Sequence, residues 1–293
     1  MRSGFKSTET PPRRFRVLID SDMTPAMPDA PPRPTIRIAS VSYLNARPLI
    51  YGLEREPDLS LSLDVPARLI ESLRTGACDV ALLPVIDYQR LPDLRLVPAG
   101  GIGCDGHTLT VRLFSRTTVD QIDTLACDPD SHTSVALARI ILAERYGRTP
   151  EFIDLSKASG RAGEARLLIG DKVICDEPAG FEHQLDLGHA WKELTGLPFV
   201  FAAWMARGGV DLGDVPRRLE RAKHEGLAHV DELIRRYAVP RGWPAGVALQ
   251  YLTVYLKYDV GDLEQRAMRT FYDLAAKHGI VSTPPRPVEL YQS

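Results

Sequence analysis

The chain is 293 residues long, 44% hydrophobic and 25% charged, with a formal net charge of -2. That balance fits a soluble globular protein whose core is large enough for one big domain or two ordinary ones. A net charge so near zero gives no signal for a nucleic-acid or membrane-surface partner, and no run approaches the roughly 18 consecutive apolar residues of a spanning helix.

Residues 1–34 cluster Pro and Arg around the short apolar run Phe15 to Ile19 and lack the apolar core of a secretory signal. They are expected to form a disordered leader on a cytoplasmic protein. Ile36 to Ala39 then reads as a strand, followed by the turn Val41-Ser42-Tyr43-Leu44-Asn45-Ala46-Arg47-Pro48-Leu49 and a helix through Leu53. A strand that stops at a Ser/Asn-rich turn and enters a helix presents unpaired N–H groups beside the positive end of the helix dipole. Asn45 both donates and accepts from one amide, and Arg47 is the nearest formal cation, so the turn suits a carboxylated small molecule as well as it suits ordinary capping.

Leu59 to Val65 alternates like a half-buried strand, Pro66 opens a helix over Ala67 to Arg74, and Gly76 stops it. Asp79 to Pro84 is a continuous apolar strand of the kind covered on both faces of a parallel sheet. The glycine-rich piece Gly100 to Gly106 reads as a turn beside a hinge, with a domain boundary there. Gly100-Gly101-x-Gly103 is not a nucleotide loop, because no helix follows it.

Beyond it come a strand from Thr108 to Ser115, another from Thr124 to Cys127, and the helix Val135 to Tyr146 behind Ser131-His132-Thr133-Ser134. One hydroxyl suffices to cap that helix, so the three at its start fit either capping or contact with a carboxylate. Phe152-Ile153 and Arg166 to Gly170 are further strands, a short helix holds Trp191, and Phe199 to Trp204 is expected to pair with Thr108 to Ser115. The remainder reads as helices over Val215 to Tyr237, Tyr251 to Leu256 and Leu263 to His278, packing back on the first unit. The expected organisation is therefore lobe 1 from residues 35–106 plus 205–293 and lobe 2 from 107–204. Cys78, Cys104, Cys127 and Cys175 lack close-pair spacing and read as reduced core thiols.

Several stretches taken together resemble a known family. Ser42-Tyr43-Leu44-Asn45-x-x-Pro48-Leu49, Gly76-x-x-Asp79-Val80-Ala81-Leu82, Ser131-x-Thr133-Ser134-Val135-Ala136-Leu137, Ile169-Gly170-Asp171 and Asp186-Leu187-Gly188-x-x-Trp191 are similar, in order and spacing, to the menaquinone-biosynthesis dehydratases of the futalosine route. The resemblance implies an α/β, two-lobed type II periplasmic-binding-protein-like fold with two crossing strands. It implies a hydro-lyase that converts chorismate, a dianion, to 3-[(1-carboxyvinyl)oxy]benzoate and water. The alternatives are the 1,4-dihydroxy-6-naphthoate synthase of the same pathway and a solute-binding protein for organic anions. Oligomeric state stays open.

On this reading Asn45 is the catalytic residue, and Ser42, Tyr43, Arg47, Val85, Ser131, Thr133, Ser134, Gly170 and Asp186 contact substrate. Pro84-Val85 stands where family members often carry Ser, so the Val85 N–H is expected to replace a hydroxyl. No metal or organic cofactor is expected. His132 is read as a solvent-facing residue of the capping run, and Asp87 as a complement to a helix dipole. The substrate's own enolpyruvyl carboxylate is then a candidate proton acceptor, and the choice between it and a side chain stays open.

Overall fold

The computed structural model describes Met1 and residues 35–128, 131–156, 164–176 and 178–292. All of the expected leader but Met1 lies outside the described residues. In chain order the strands are β1 (Ile36–Ser40), β2 (Leu59–Leu63), β3 (Val80–Pro84), β4 (Leu94–Cys104), β5 (Val111–Ser115), β6 (Thr124–Cys127), β7 (Glu151–Asp154), β8 (Ala165–Ile169), β9 (His183–Asp186), β10 (Phe199–Arg207) and β11 (Leu256–Lys257). The helices are α1 (Pro66–Thr75), α2 (His132–Tyr146), α3 (Asp171–Ile174), α4 (Leu187–Thr195), α5 (Val215–Ala228), α6 (Val230–Leu233), α7 (Ala245–Gln250) and α8 (Asp262–Lys277).

The strands form two sheets, one in the order β11-β4-β10-β3-β1-β2 and the other in the order β7-β6-β8-β5-β9. Strands β1, β2 and β3 run parallel, as βαβ crossovers require, and β3 is buried along its whole length. The second sheet is mixed, with β6 parallel to β7 and β8, and β5 antiparallel to β8 and β9.

Strand β10 leaves the second sheet's neighbourhood and lies antiparallel between β3 and β4. The expected pairing of residues 108–115 with 199–204 is therefore wrong: β5 finds both partners inside its own sheet, and β10 finds its partners in the other. The glycine-rich run is also corrected. Gly100, Gly101 and Gly103 belong to the eleven-residue β4 rather than to a turn. A Cβ on Gly101 would stand 2.5 Å from the Ala202 carbonyl oxygen, and one on Gly103 would stand 2.7 Å from that of Phe199. Glycine is there so that β4 and β10 approach backbone to backbone.

Two expected helices are shorter than the pattern suggested. The segment after β1 is a 3₁₀ turn over Leu44–Ile50 with Pro48 inside it, followed by a second 3₁₀ turn over Leu53–Arg55. Proline lacks the N–H that a continuing α-helix needs. The helix expected over 215–237 breaks at His229 and continues as α6 and a π-helical turn, Ile234–Ala238. Tyr251–Tyr255 forms another π turn before β11.

The largest buried side chains gather where α4, β10 and α8 meet: Trp191 stands edge-on to Phe199 and Phe271, with centroids 5.2 and 6.1 Å apart. Cys78, Cys104 and Cys127 are buried as expected, and burial pushes the Cys78 thiol up to about 11. Cys175 is exposed instead, with its Sγ 3.3 Å from the Arg241 carbonyl oxygen. The segment 286–291 returns across the first sheet. Leu96 N donates to Glu289 O at 2.9 Å, Tyr291 N donates to Leu96 O at 2.8 Å, and the Arg286 guanidinium lies 3.7 Å from the Tyr88 ring centroid.

Candidate functional site

A cavity of about 240 Å³ lies between the two sheets, smaller than the roughly 300–1,000 Å³ of pockets for drug-sized ligands, and suited to a single-ring molecule. Its floor is apolar, with Val41, Leu82, Pro84, Ile102, Phe201 and Trp243. Its polar groups come from the turn after β1, the crossover before β5 (Thr108 and Thr110), Asp128 and the start of α2, the β8–α3 junction, and Tyr251.

The α2 start is the strongest anion-binding feature. This helix is fifteen residues long, and the Ser131 side chain makes no cap bond to it. Its first N–H groups are therefore not satisfied in the usual way, while Ser131, Thr133 and Ser134 are buried and line the cavity. Thr133 Oγ1 accepts from the Ile86 N–H at 3.4 Å, linking α2 to the turn after β3.

Opposite, Tyr43 and Asn45 line the cavity from the 3₁₀ turn. Asn45 Oδ1 is buried without a hydrogen-bond partner among the described residues. The Tyr251 hydroxyl accepts from Thr110 Oγ1 at 2.9 Å, and Asn45 and Tyr251 line the same cavity. Burial pushes the Tyr251 hydroxyl up to about 12, opposed by the hydrogen bonds from Thr110 and Asn45, so it is a neutral phenol at physiological pH. At the β8–α3 junction, Gly170 (φ +62°) turns the chain so that Asp171 and Lys172 line the cavity. Lys172 Nζ donates to the buried Asp128 carboxylate at 2.5 Å, and Trp243 Nε1 donates to Asp171 Oδ1 at 2.8 Å.

Of the residues expected to touch substrate, the structure thus gathers Tyr43, Asn45, Ser131, Thr133, Ser134 and Gly170 around one cavity. It places the others elsewhere. Arg47 turns back, donating to the Ser42 carbonyl at 2.9 Å with its guanidinium 4.1 Å from the Tyr237 ring centroid, so neither it nor Ser42 is in the lining. Val85 is fully buried, and its carbonyl accepts from the Tyr272 hydroxyl at 2.7 Å. Asp186 caps α4 through the Gly188 and His189 N–H groups and also holds the Thr108 and Leu109 N–H groups. That carboxylate anchors the crossover between the sheets, where Leu109 adopts φ +68°, a strained conformation for a branched side chain.

His132 and Asp87 differ from the sequence reading. His132 lines the cavity, and its Nδ1 lies 3.1 Å from both oxygens of Asp87, a fully buried carboxylate that also accepts from Arg90 at 2.9 Å. Asp87 sits in a 3₁₀ turn, Val85–Gln89, which carries too small a dipole to need an anion. Its partner is the histidine, brought from 45 positions away by the meeting of the two sheets. Sequence reasoning also missed Lys172, Thr110 and Tyr251. Lys172 directly follows the Ile169-Gly170-Asp171 motif, which was the available signal; Tyr251 had none, since a helical tyrosine looks the same whether it faces a core or a cavity.

The comparisons fit this geometry. The chain is 28% identical over 252 residues to a chorismate dehydratase from Thermus thermophilus, covering 78% of this chain and 91% of that one. It is 28% identical over 172 residues to a chorismate dehydratase from Campylobacter jejuni, covering 55% and 63% respectively. Among solved structures, a protein from Archaeoglobus fulgidus superposes with a TM-score of 0.66 at 18% identity, covering 84% of this chain and 98% of that one. The periplasmic aliphatic sulphonate binding protein SsuA from Escherichia coli gives 0.60 at 17% identity over 88% and 94%. The fold is thus that of the periplasmic binding proteins. The family model for menaquinone biosynthesis matches residues 36–277, a span that includes both sheets and every residue lining the cavity, and the chain belongs to that family.

Proposed function

We propose that the chain is a hydro-lyase that converts chorismate to 3-[(1-carboxyvinyl)oxy]benzoate and water. The observation that carries this reading is the uncapped start of α2 facing Asn45 across a small, largely apolar cavity. Such a site grips a carboxylate by neutral N–H groups at one end and offers an amide to the ring at the other. Two relatives named chorismate dehydratase supply the substrate class.

Chorismate carries a hydroxyl at C4 and a hydrogen at C3, and loss of both makes the ring aromatic. The reaction runs downhill, so the protein's task is orientation, a route for the C3 proton and help for the leaving hydroxide. The enolpyruvyl carboxylate is tethered to the C3 oxygen and reaches the C3 hydrogen through a six-membered arrangement, which makes it the proton acceptor. The ring carboxylate lies at the Ser131–Ser134 helix start, with Lys172 nearby as a formal cation in the lining. Asn45 meets the C4 hydroxyl. The lobes built on the two sheets, with β10 (Phe199–Arg207) in the first, close over the ring, and the reaction belongs to the futalosine route in the cytoplasm.

Incubating the purified chain with chorismate, and following aromatic absorbance and product mass, tests the reading. An unchanged substrate, or a product other than the carboxyvinyloxybenzoate, refutes it. Replacing Asn45 with Ala or with Asp is expected to lower kcat by roughly 100-fold, the scale of losing one aimed dipole in a dry site. Near wild-type turnover in both variants removes Asn45 from the mechanism.

A further inference from the structure

Hydroxide is a poor leaving group, and it is poorer still in a dry site. The floor of the cavity is apolar, so an ion released there finds little solvation. A proton delivered as the C4–O bond breaks turns the departing group into water. The amide of Asn45 can hold that oxygen but does not give up its protons. We propose that Tyr251 is the catalytic acid of the reaction, its phenol delivering that proton to the C4 oxygen.

Several observations converge. Tyr251 lines the cavity together with Thr110 and Trp243, and at 2% exposure its hydroxyl is not served by bulk water. Its ring stacks on Trp243 with centroids 5.1 Å apart, and Thr110 Oγ1 donates into its oxygen at 2.9 Å, which fixes the phenol in place. Because the phenol oxygen is the acceptor in that bond, its own proton is left over. No hydrogen bond among the described residues takes it, and Asn45 Oδ1 is likewise without a partner. A buried donor in that position requires an acceptor from the ligand. Tyr251 also opens a π-helical turn, an irregularity frequent at functional sites. Burial, which pushes this phenol up to about 12, keeps the proton on it at neutral pH, while water, at about 15.7, is the weaker acid, so departing hydroxide takes the proton.

The step rests on the dehydratase reading above, and its atoms balance. The C3–H bond breaks, its proton passing to the enolpyruvyl carboxylate and its electron pair forming the C3–C4 π bond. The C4–O bond breaks with its pair on oxygen, and the Tyr251 proton completes a water molecule. A carboxylic acid is far stronger than a phenol, so the proton held on the enolpyruvyl group then restores Tyr251, directly or through the new water. A dianion enters, and a dianion and water leave.

The test is Tyr251→Phe in the full chain, which keeps the ring and its stack on Trp243, assayed on chorismate and on the analogue with fluorine in place of the C4 hydroxyl. On chorismate, kcat is expected to fall by at least about thirtyfold, approaching the usual range for a general acid, with KM within about threefold. A smaller loss overturns the proposal. Fluoride departs without a proton, so on the analogue, read by fluoride release, the same substitution is expected to cost less than about threefold. That activity also shows the variant to be folded. Losses of equal size on both substrates mark a structural role and overturn the proposal. Wild-type protein that leaves chorismate unchanged removes the dehydratase reading and this step together, whereas full turnover in Tyr251→Phe removes the step alone.

Discussion

Gly226 gives the sharpest test of how the site is supported. It lies in α5 against the 3₁₀ turn that carries Asn45, and a Cβ placed there would stand 2.3 Å from the Pro48 carbonyl oxygen and 2.6 Å from Pro48 Cα. Helix propensity alone predicts that Gly226→Ala stabilises the protein by about 1 kcal/mol. Packing predicts the reverse. Overfilling a close-packed contact costs about 1–3 kcal/mol, and the upper end applies because the neighbours are backbone atoms that cannot rotate aside. The net expectation is a loss of about 2 kcal/mol, read in urea as a lower midpoint at unchanged slope. In thermal unfolding it corresponds to about 2–4 °C per kcal/mol.

The functional consequence is larger than the stability change. Ordinary contact begins near 3.4 Å, so the Pro48 backbone must retreat by roughly 1 Å, and Asn45 sits three residues away on the same turn. Displacements of that size cost up to roughly 100-fold in rate. Gly226→Ala that is more stable than wild type, with full turnover of chorismate, would refute the reasoning.

Other substitutions probe separate parts of the cavity. Lys172→Met removes a formal cation from the lining, and KM for the dianion is expected to rise roughly fivefold to tenfold with kcat within twofold. An unchanged KM would confine Lys172 to its bond with Asp128. His132→Gln is expected to retain kcat within about fivefold, since the substrate supplies the proton acceptor, whereas a loss of 100-fold or more would transfer that role to the imidazole.

Glu144 on α2 accepts from Lys277 Nζ at 2.6 Å and His278 Nε2 at 2.5 Å, and these bonds hold its carboxyl below the usual range. A folded-state value below the unfolded one stabilises the fold above the ordinary carboxylate value of 4.5, and that contribution is lost as pH falls through the folded value. The melting-temperature gap between wild type and Glu144→Gln is therefore expected to be widest near neutral pH and to close below that value. A gap that does not narrow as the pH falls below 4.5 would contradict the assignment.

The fold was readable where local rules and tertiary context agree. Pro66 opens α1 and Gly76 closes it at φ +72°, and the unbroken apolar run of β3 correctly announced a doubly covered strand. Legibility failed where a residue serves a distant neighbour. Gly101 and Gly103 look like turn residues until β10 is laid against them, and nothing local says that β10 will arrive there. The site divides the same way. The hydroxyls before α2 and the amide of Asn45 stand out because helix starts have recognisable chemistry. Asp87 and His132 meet only because two sheets bring them together, and Arg47, which looked like an anion ligand, is turned away by the Tyr237 ring and the Ser42 carbonyl.

The returning segment 286–291 sets an order of assembly on the ribosome. The second sheet is built from β5 to β9, contiguous in sequence, and can pair as soon as residue 186 has emerged. The first sheet cannot finish until β11 and then Glu289 and Tyr291 reach β4, with Arg286 covering Tyr88. Nascent chains therefore pass through an interval in which one half is structured and the other keeps an open sheet edge, the state most exposed to aggregation and most dependent on chaperones.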